Sequence, residues 1–181
     1  QEALSEISTQ ADRLSKIIQR VRTYAKRQHH EVKQENLSEI VDRALVSFRR
    51  SSLSSGIDVE VKAPGKADAL ADALELELLI VNLLKNAAAA SKDSREKLIS
   101  VQLSEEANEW LLSVSDHGQV ISDKLLSRLS HPAKSLSDGL GLGLSICRLI
   151  AENHGGKLTF KPNNSKGLIV TLHLPKANKE I

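Results

Sequence analysis

The chain has 181 residues, 40% hydrophobic and 27% charged, with a formal net charge of +2; this fits one globular domain of ordinary size plus an extra element. So slight a positive excess gives no broad cationic field, and aromatics at 2% leave little with which to stack bases, so nucleic acid is excluded as the expected partner. The single cysteine, Cys147, rules out an internal disulfide framework, and no apolar run reaches the roughly 18 residues that cross a bilayer.

Residues 1–28 are predicted to form one long helix. Leu4, Ile7, Ala11, Leu14, Ile18, Val21 and Ala25 alternate spacings of three and four, a heptad seam on an otherwise charged segment. Such a seam wants partner helices, in a bundle or a dimer. The chain has no Met and opens in mid-pattern with QEALSEIS, which leads us to expect a piece of a longer protein. A polar stretch then breaks the pattern. We assign 29–35 as a linker and 36–177 as the globular domain.

Asn36 with Glu39 forms a capping box ahead of Leu37, Ile40, Val41, Ala44, Leu45 and Phe48, which predicts an amphipathic helix ending near Ser51. Ile57 to Val61 alternates as a strand does and is stopped by Pro64 and Gly65. A helix over 72–91 follows, opened by Asp72. Its centre, LELELLIVNLLKNAAAAS, is so apolar that burial nearly all round is expected. Leu98 to Leu103 and Trp110 to Val114 read as a hairpin. A short helical stretch near Asp123 to Leu129 and a loose polar segment over 130–138 come next. The helix within GLGLGLSICRLIAENHGG is closed by Gly155 and Gly156. Two last strands, Lys157 to Lys161 and Leu168 to Leu174, turn at Asn163–Asn164. The expected fold class is α+β: a mixed, mostly antiparallel sheet of about five strands covered on one face by three helices, preceded by the long helix.

Three features could carry chemistry. Asn82 and Asn86 lie one turn apart on the apolar helix, on one face. An unpaired buried amide costs about 1–3 kcal/mol, so the pair needs partners, either backbone in the core or a polar ligand or metal in a cavity. Asp116, followed by His117 and Gly118, stands at a strand end, where a carboxylate can accept from an exocyclic amine; an ordinary Asp-x-Gly turn would look the same. Gly139, Gly141 and Gly143 alternate before a helix whose start offers unpaired N–H groups suited to phosphate. Taken alone, a flexible loop explains them as well. They are neither a dinucleotide fingerprint nor a Walker loop.

The order of these features resembles the ATP-binding domain of bacterial sensor histidine kinases, in the superfamily of gyrase, Hsp90 and the mismatch-repair ATPases. NLLKNA is similar to that family's N box, VSDHG to its G1 box, and GLGLGLSICRLIAENHGG to its G2 box and following helix. The resemblance covers 36–175 and implies a left-handed α/β sandwich. The helix at 1–28 is similar to the second helix of the dimerisation and phosphotransfer hairpin; the first helix, with the phosphoacceptor histidine, has no counterpart. His29 and His30 follow the second helix and read as linker residues. QRVRTYAKR resembles membrane sensors for dicarboxylates or tetrathionate, implying a cytoplasmic domain of an inner-membrane protein.

By the same resemblance the ligand is ATP with Mg²⁺. Asn86 would hold the metal with Asn82 beside it, and Asp116 would bind the adenine amino group with Gly118 admitting the base. Gly139, Leu140, Gly141, Leu142, Gly143 and Leu144 would hold the phosphates. Lys85, Lys134 and Thr171 are further candidates for nucleotide contact. The segment 130–138 would be a lid ordered by the γ-phosphate. The implied partners are a response regulator and a second copy, through 1–28 and its missing hairpin mate.

Three departures stand out: Val120 replaces a G1 glycine and is expected to narrow the pocket or alter the lid hinge, LSHP at 129–132 replaces the phenylalanine-rich box, and GLIVT retains only Thr171 in the last strand. The first two motivate an alternative, a degenerate signalling module that binds nucleotide poorly or not at all. An ATPase of the gyrase or Hsp90 kind fits less well. The water-activating Glu of that group lies four before the metal-binding Asn, and here that position is Asn82, which cannot act as a base.

Overall fold

A computed structural model describes residues 31–130, 142–164 and 166–176. The expected helix at 1–28, His29, His30, Lys134, Gly139, Leu140 and Gly141 lie outside the described residues, as does all of the 130–138 segment except Ser130.

The described chain opens with a strand where a linker was expected. β1 (Lys33–Asn36) pairs antiparallel with β3 (Asp68–Ala71), Lys33 opposite Ala71 and Asn36 opposite Asp68. Neither strand alternates in polarity; the backbone ladder and the burial of Ala69 and Ala71 hold them. Asn36 closes β1 and caps α1 (Leu37–Arg49): its Oδ1 accepts from Ser38 N and Ala67 N, and its Nδ2 donates to Glu39 Oε1 at 3.2 Å. The six apolar positions of α1 noted in the sequence are all buried.

The main sheet has the order β2-β4-β5-β7-β6. β2 (Asp58–Lys62) runs parallel to β4 (Leu98–Glu106), Asp58 beside Leu98. All other neighbours are antiparallel: β4 with β5 (Glu109–Ser115), β5 with β7 (Leu168–Pro175), and β6 (Lys157–Pro162) with β7. Ile99, Val101, Leu103, Leu112, Val114, Val170, Leu172 and Leu174 form its covered face. The opposite face carries Ser113, Thr159, Thr171 and His173; Ser113 Oγ and Thr171 Oγ1 lie 2.8 Å apart.

The middle helix, α2 (Ala73–Ser91), packs against α1 and against α4 (Leu142–Asn153). Asp72 caps it, its Oδ1 accepting from Leu74 N and Glu75 N; truncating such a cap costs about 1 kcal/mol. His154 joins α4 to the start of α2: Nε2 accepts from Asp72 N at 3.0 Å and Nδ1 donates to Ile150 O at 2.7 Å. The expectation that α2 is buried nearly all round is corrected. Leu76, Leu79, Ile80, Leu83, Leu84, Ala87 and Ala88 are buried, but Leu74, Asn86, Ala89 and Ala90 are exposed, because no element among the described residues covers that stripe. The remaining helix, α3 (Asp123–Ser130), lies against β6 and buries Leu129.

Candidate functional site

The site begins on the open stripe of α2. Asn86 is exposed and Asn82, one turn earlier, is half-buried. Facing them is the first turn of α4. A β-carbon on Gly143 would stand 3.8 Å from both terminal atoms of the Asn86 amide and 4.0 Å from Asn82 Oδ1. The first N–H groups of a helix have no partner within it and carry its positive partial charge, so α4 aims donors into the space beside the amide pair. Asn82 Nδ2 is buried and has no hydrogen-bond partner among the described residues. An orphaned donor costs about 1–3 kcal/mol, and an oxygen-rich anion would recover it. The amide carbonyls are hard oxygen donors of the kind Mg²⁺ accepts alongside phosphate and water. The residues present therefore fit a metal-bound phosphate chain.

Asp116 directly follows β5 and is only 5% exposed. Its Oδ1 accepts from Gly118 N at 2.8 Å, its backbone N–H donates to Leu168 O at 3.0 Å, and its carbonyl accepts from Asn163 Nδ2 at 2.8 Å. Burial pushes the carboxyl above its ordinary range, opposed by the N–H groups of Gly118 and Leu168 and the charge of His117. Between Asp116 and Asn86 lies a cavity of 290 Å³, lined also by Ala87, Ala90, Ile121, Leu144 and Leu168. Apolar walls ending on one buried acid suit a flat heterocycle bearing an amine.

Gly118 has to be glycine: a β-carbon there would fall 2.8 Å from Ala90 O and 2.9 Å from Asp116 Oδ1. The loop is also held from the α2–β4 connection, where Ser94 Oγ donates to His117 O at 2.6 Å, and from the start of β4, where the His117 ring meets Leu98 O through Nδ1 at 3.1 Å. Two wider grooves lie elsewhere, 720 Å³ by Arg49 and Lys97 and 530 Å³ by Lys62 and Trp110. Size does not select the site, because neither groove has a buried acid or an orphaned donor.

The structure thus brings together Asn82, Asn86, Asp116, Gly118, Gly143 and Leu144. Three expectations change. Val120 is 71% exposed and does not narrow the cavity; its neighbours Gln119 and Ile121 line it instead. Thr171 lies on the opposite face of the sheet from the helices, since strand residues alternate, and Leu168 and Val170 take the lining. Lys85 precedes Asn86 by one position, about 100° round the helix, and is not part of the lining. Leu142 supplies the first backbone unit of α4. Among the described residues there is no His/Cys/Asp/Glu cluster fit for a metal, so an amide site is the metal option they offer. Asn163, Gly167, Asp93 and Gln119 were missed in the sequence; a glycine closing the NNSK turn was the one available signal.

Residues 71–178 match the model of the histidine kinase-, DNA gyrase B- and HSP90-like ATPase family. The chain belongs to this family. Its relatives are sensor kinases: it is 31% identical over 183 residues to the sensor protein FixL of Bradyrhizobium diazoefficiens, covering 98% of this chain and 36% of FixL. It is 30% identical to the C4-dicarboxylate transport sensor protein DctB of Rhizobium meliloti, covering 97% of this chain and 28% of DctB. The chain thus spans about a third of the length of these relatives. The catalytic domain of histidine kinase ThkA, in a nucleotide-free form, superposes with a TM-score of 0.67 at 27% identity, over 81% of this chain and 96% of ThkA's. ThkA in complex with the response regulator TrrA gives 0.74 at 25% identity, over 97% and 51%. As a member of an ATPase family, the domain binds ATP. No helix among the described residues is long and apolar enough to cross a membrane.

Proposed function

We propose that this chain is the ATP-binding catalytic part of a two-component sensor histidine kinase, with 1–28 as the second helix of the phosphotransfer hairpin, a short link from residue 29, and a catalytic domain that begins with β1. The observation that carries the reading is a cavity that runs from Asn86 to the buried Asp116, with the first turn of α4 and Asn82 Oδ1 beside the Asn86 amide.

In this reading the Asp116 carboxylate accepts from the exocyclic amine of adenine, and Gly118 leaves room for the ring edge. Asn82 Nδ2 donates to a phosphate oxygen. The N–H groups of Leu142, Gly143 and Leu144 hold the phosphate chain, with Gly139, Leu140, Gly141 and Lys134 contributing from the preceding segment. Asn86 would hold Mg²⁺ through its carbonyl oxygen, and the metal would neutralise charge on the phosphates. A histidine ring nitrogen on the hairpin's first helix then attacks the γ-phosphorus. The bond to the β–γ bridging oxygen breaks and ADP leaves with that electron pair. Such transfer asks the protein mainly for position and charge stabilisation. Position 82, one turn before Asn86, is an amide and not a carboxylate, so it cannot serve as a base for activating water.

The further partners are a response regulator, supported by the ThkA–TrrA complex, and a second copy of the chain through the hairpin. The whole protein would be an inner-membrane sensor with this part in the cytoplasm. The test mixes the chain with a separate hairpin that carries its histidine and γ-labelled ATP. Acid-labile label should appear on the added hairpin and not on the chain itself. Phosphate release without label on the hairpin would favour an ATPase; absence of ATP binding would favour the degenerate module.

A further inference from the structure

The β6–β7 turn holds Asp116 more tightly than its place outside the nucleotide motifs would suggest. Both backbone polar groups of Asp116 are taken by this hairpin: the N–H by Leu168 O at 3.0 Å, the carbonyl by Asn163 Nδ2 at 2.8 Å. Gly167, at φ +93°, lies so close that a β-carbon would fall 2.0 Å from Asp116 O, and its N–H donates to Gln119 O at 3.2 Å. The turn is braced within itself, Asn163 N donating to Gly167 O at 3.1 Å and Lys166 N to Asn163 O at 2.8 Å.

The Asp116 carbonyl belongs to the peptide plane that leads into His117. Rotation of that plane redirects the Gly118 N–H, and that N–H holds Asp116 Oδ1. Without a donor at position 163 the carbonyl is free to turn toward water, and the carboxylate loses its fixed direction.

We infer that Asn163 is a positioning residue for base recognition, orienting the Asp116 carboxylate toward the exocyclic amine through the Asp116 carbonyl. The inference rests on the reading of Asp116 as the adenine acceptor.

The test is calorimetric titration of the full chain with Mg·ATP and with Mg·ITP, in which a carbonyl replaces the 6-amino group. The variants are Asn163→Ala, Asn163→Asp, nearly isosteric but unable to donate, and Lys166→Ala as a control in the same turn. Loss of one neutral hydrogen bond predicts about a threefold to tenfold weaker ATP affinity in both Asn163 variants. ITP affinity should stay unchanged, so the ATP/ITP ratio falls by the same factor, while Lys166→Ala behaves as wild type. Should Asn163→Ala not fold, Asn163→Asp still reads the ratio. Variants with a wild-type ratio, whether both affinities hold or fall in equal proportion, would overturn the inference while leaving the nucleotide reading intact. A wild-type chain that binds ATP and ITP alike would overturn the role of Asp116 and the inference with it.

Discussion

Replacing Asp116 with Asn should move affinity and stability in opposite directions. The carboxylate is 5% exposed, and burial raises its proton affinity above the ordinary value, so its charge at neutral pH destabilises the free fold. The Asn Oδ1 can still accept from Gly118 N, as Asp116 Oδ1 does now. Binding loses a charge-assisted hydrogen bond to the base amine, worth about 1.5–3 kcal/mol, or on the order of 10- to 100-fold in Kd. The nucleotide-free variant should be as stable as wild type or more so, and at this chain length about 1 kcal/mol corresponds to about 2–4 °C in Tm. The gap should depend on pH. With its folded pKa raised above the ordinary 3.8, Asp116 contributes stability below 3.8 that is lost as pH rises through the folded value. The variant should therefore gain on wild type toward neutral pH and converge with it in acid. Calorimetric titration and thermal melts over pH check both arms. A variant that loses ATP affinity and also melts lower at neutral pH would refute the reasoning, because Asp116 would then be a structural group only.

Asn82→Leu removes a buried donor with no partner among the described residues, so the free protein should gain up to about 1 kcal/mol in chemical denaturation while ATP binding is lost. Gly118→Ala drives a β-carbon to 2.8 Å from the Ala90 carbonyl; a destabilisation of about 1–3 kcal/mol is expected in urea titration, with weaker ATP binding. Val120→Gly, at a side chain 71% exposed, should leave Kd for ATP within about twofold by calorimetry, because that side chain does not line the cavity.

The helices were readable from the sequence because their signals are local. Periodicity marked α1, and the side chains of Asn36 and Asp72 capped α1 and α2 where expected. β1 and β3 were missed because KQEN and DALA show no alternation and exist as strands only through each other. The open stripe on α2 was hidden because Ala89 and Ala90 are apolar by type and exposed only by the placement of neighbouring helices. Asn82 and Asn86 were visible as two amides in an apolar run. The orientation of Val120 was not, since the Asp116–Gln119 loop is set by Gly167 and Asn163, the latter 47 residues away. Thr171 failed on strand parity, which one residue of register decides.

Titration of the isotope-labelled chain with Mg·ATP, followed by NMR, tests the central claim most directly. The side-chain amides of Asn82 and Asn86 and the backbone amides of Gly118 and Gly143 should shift together along one saturating curve. Shifts confined to the groove by Arg49 and Lys97, with those four groups unmoved, would contradict it.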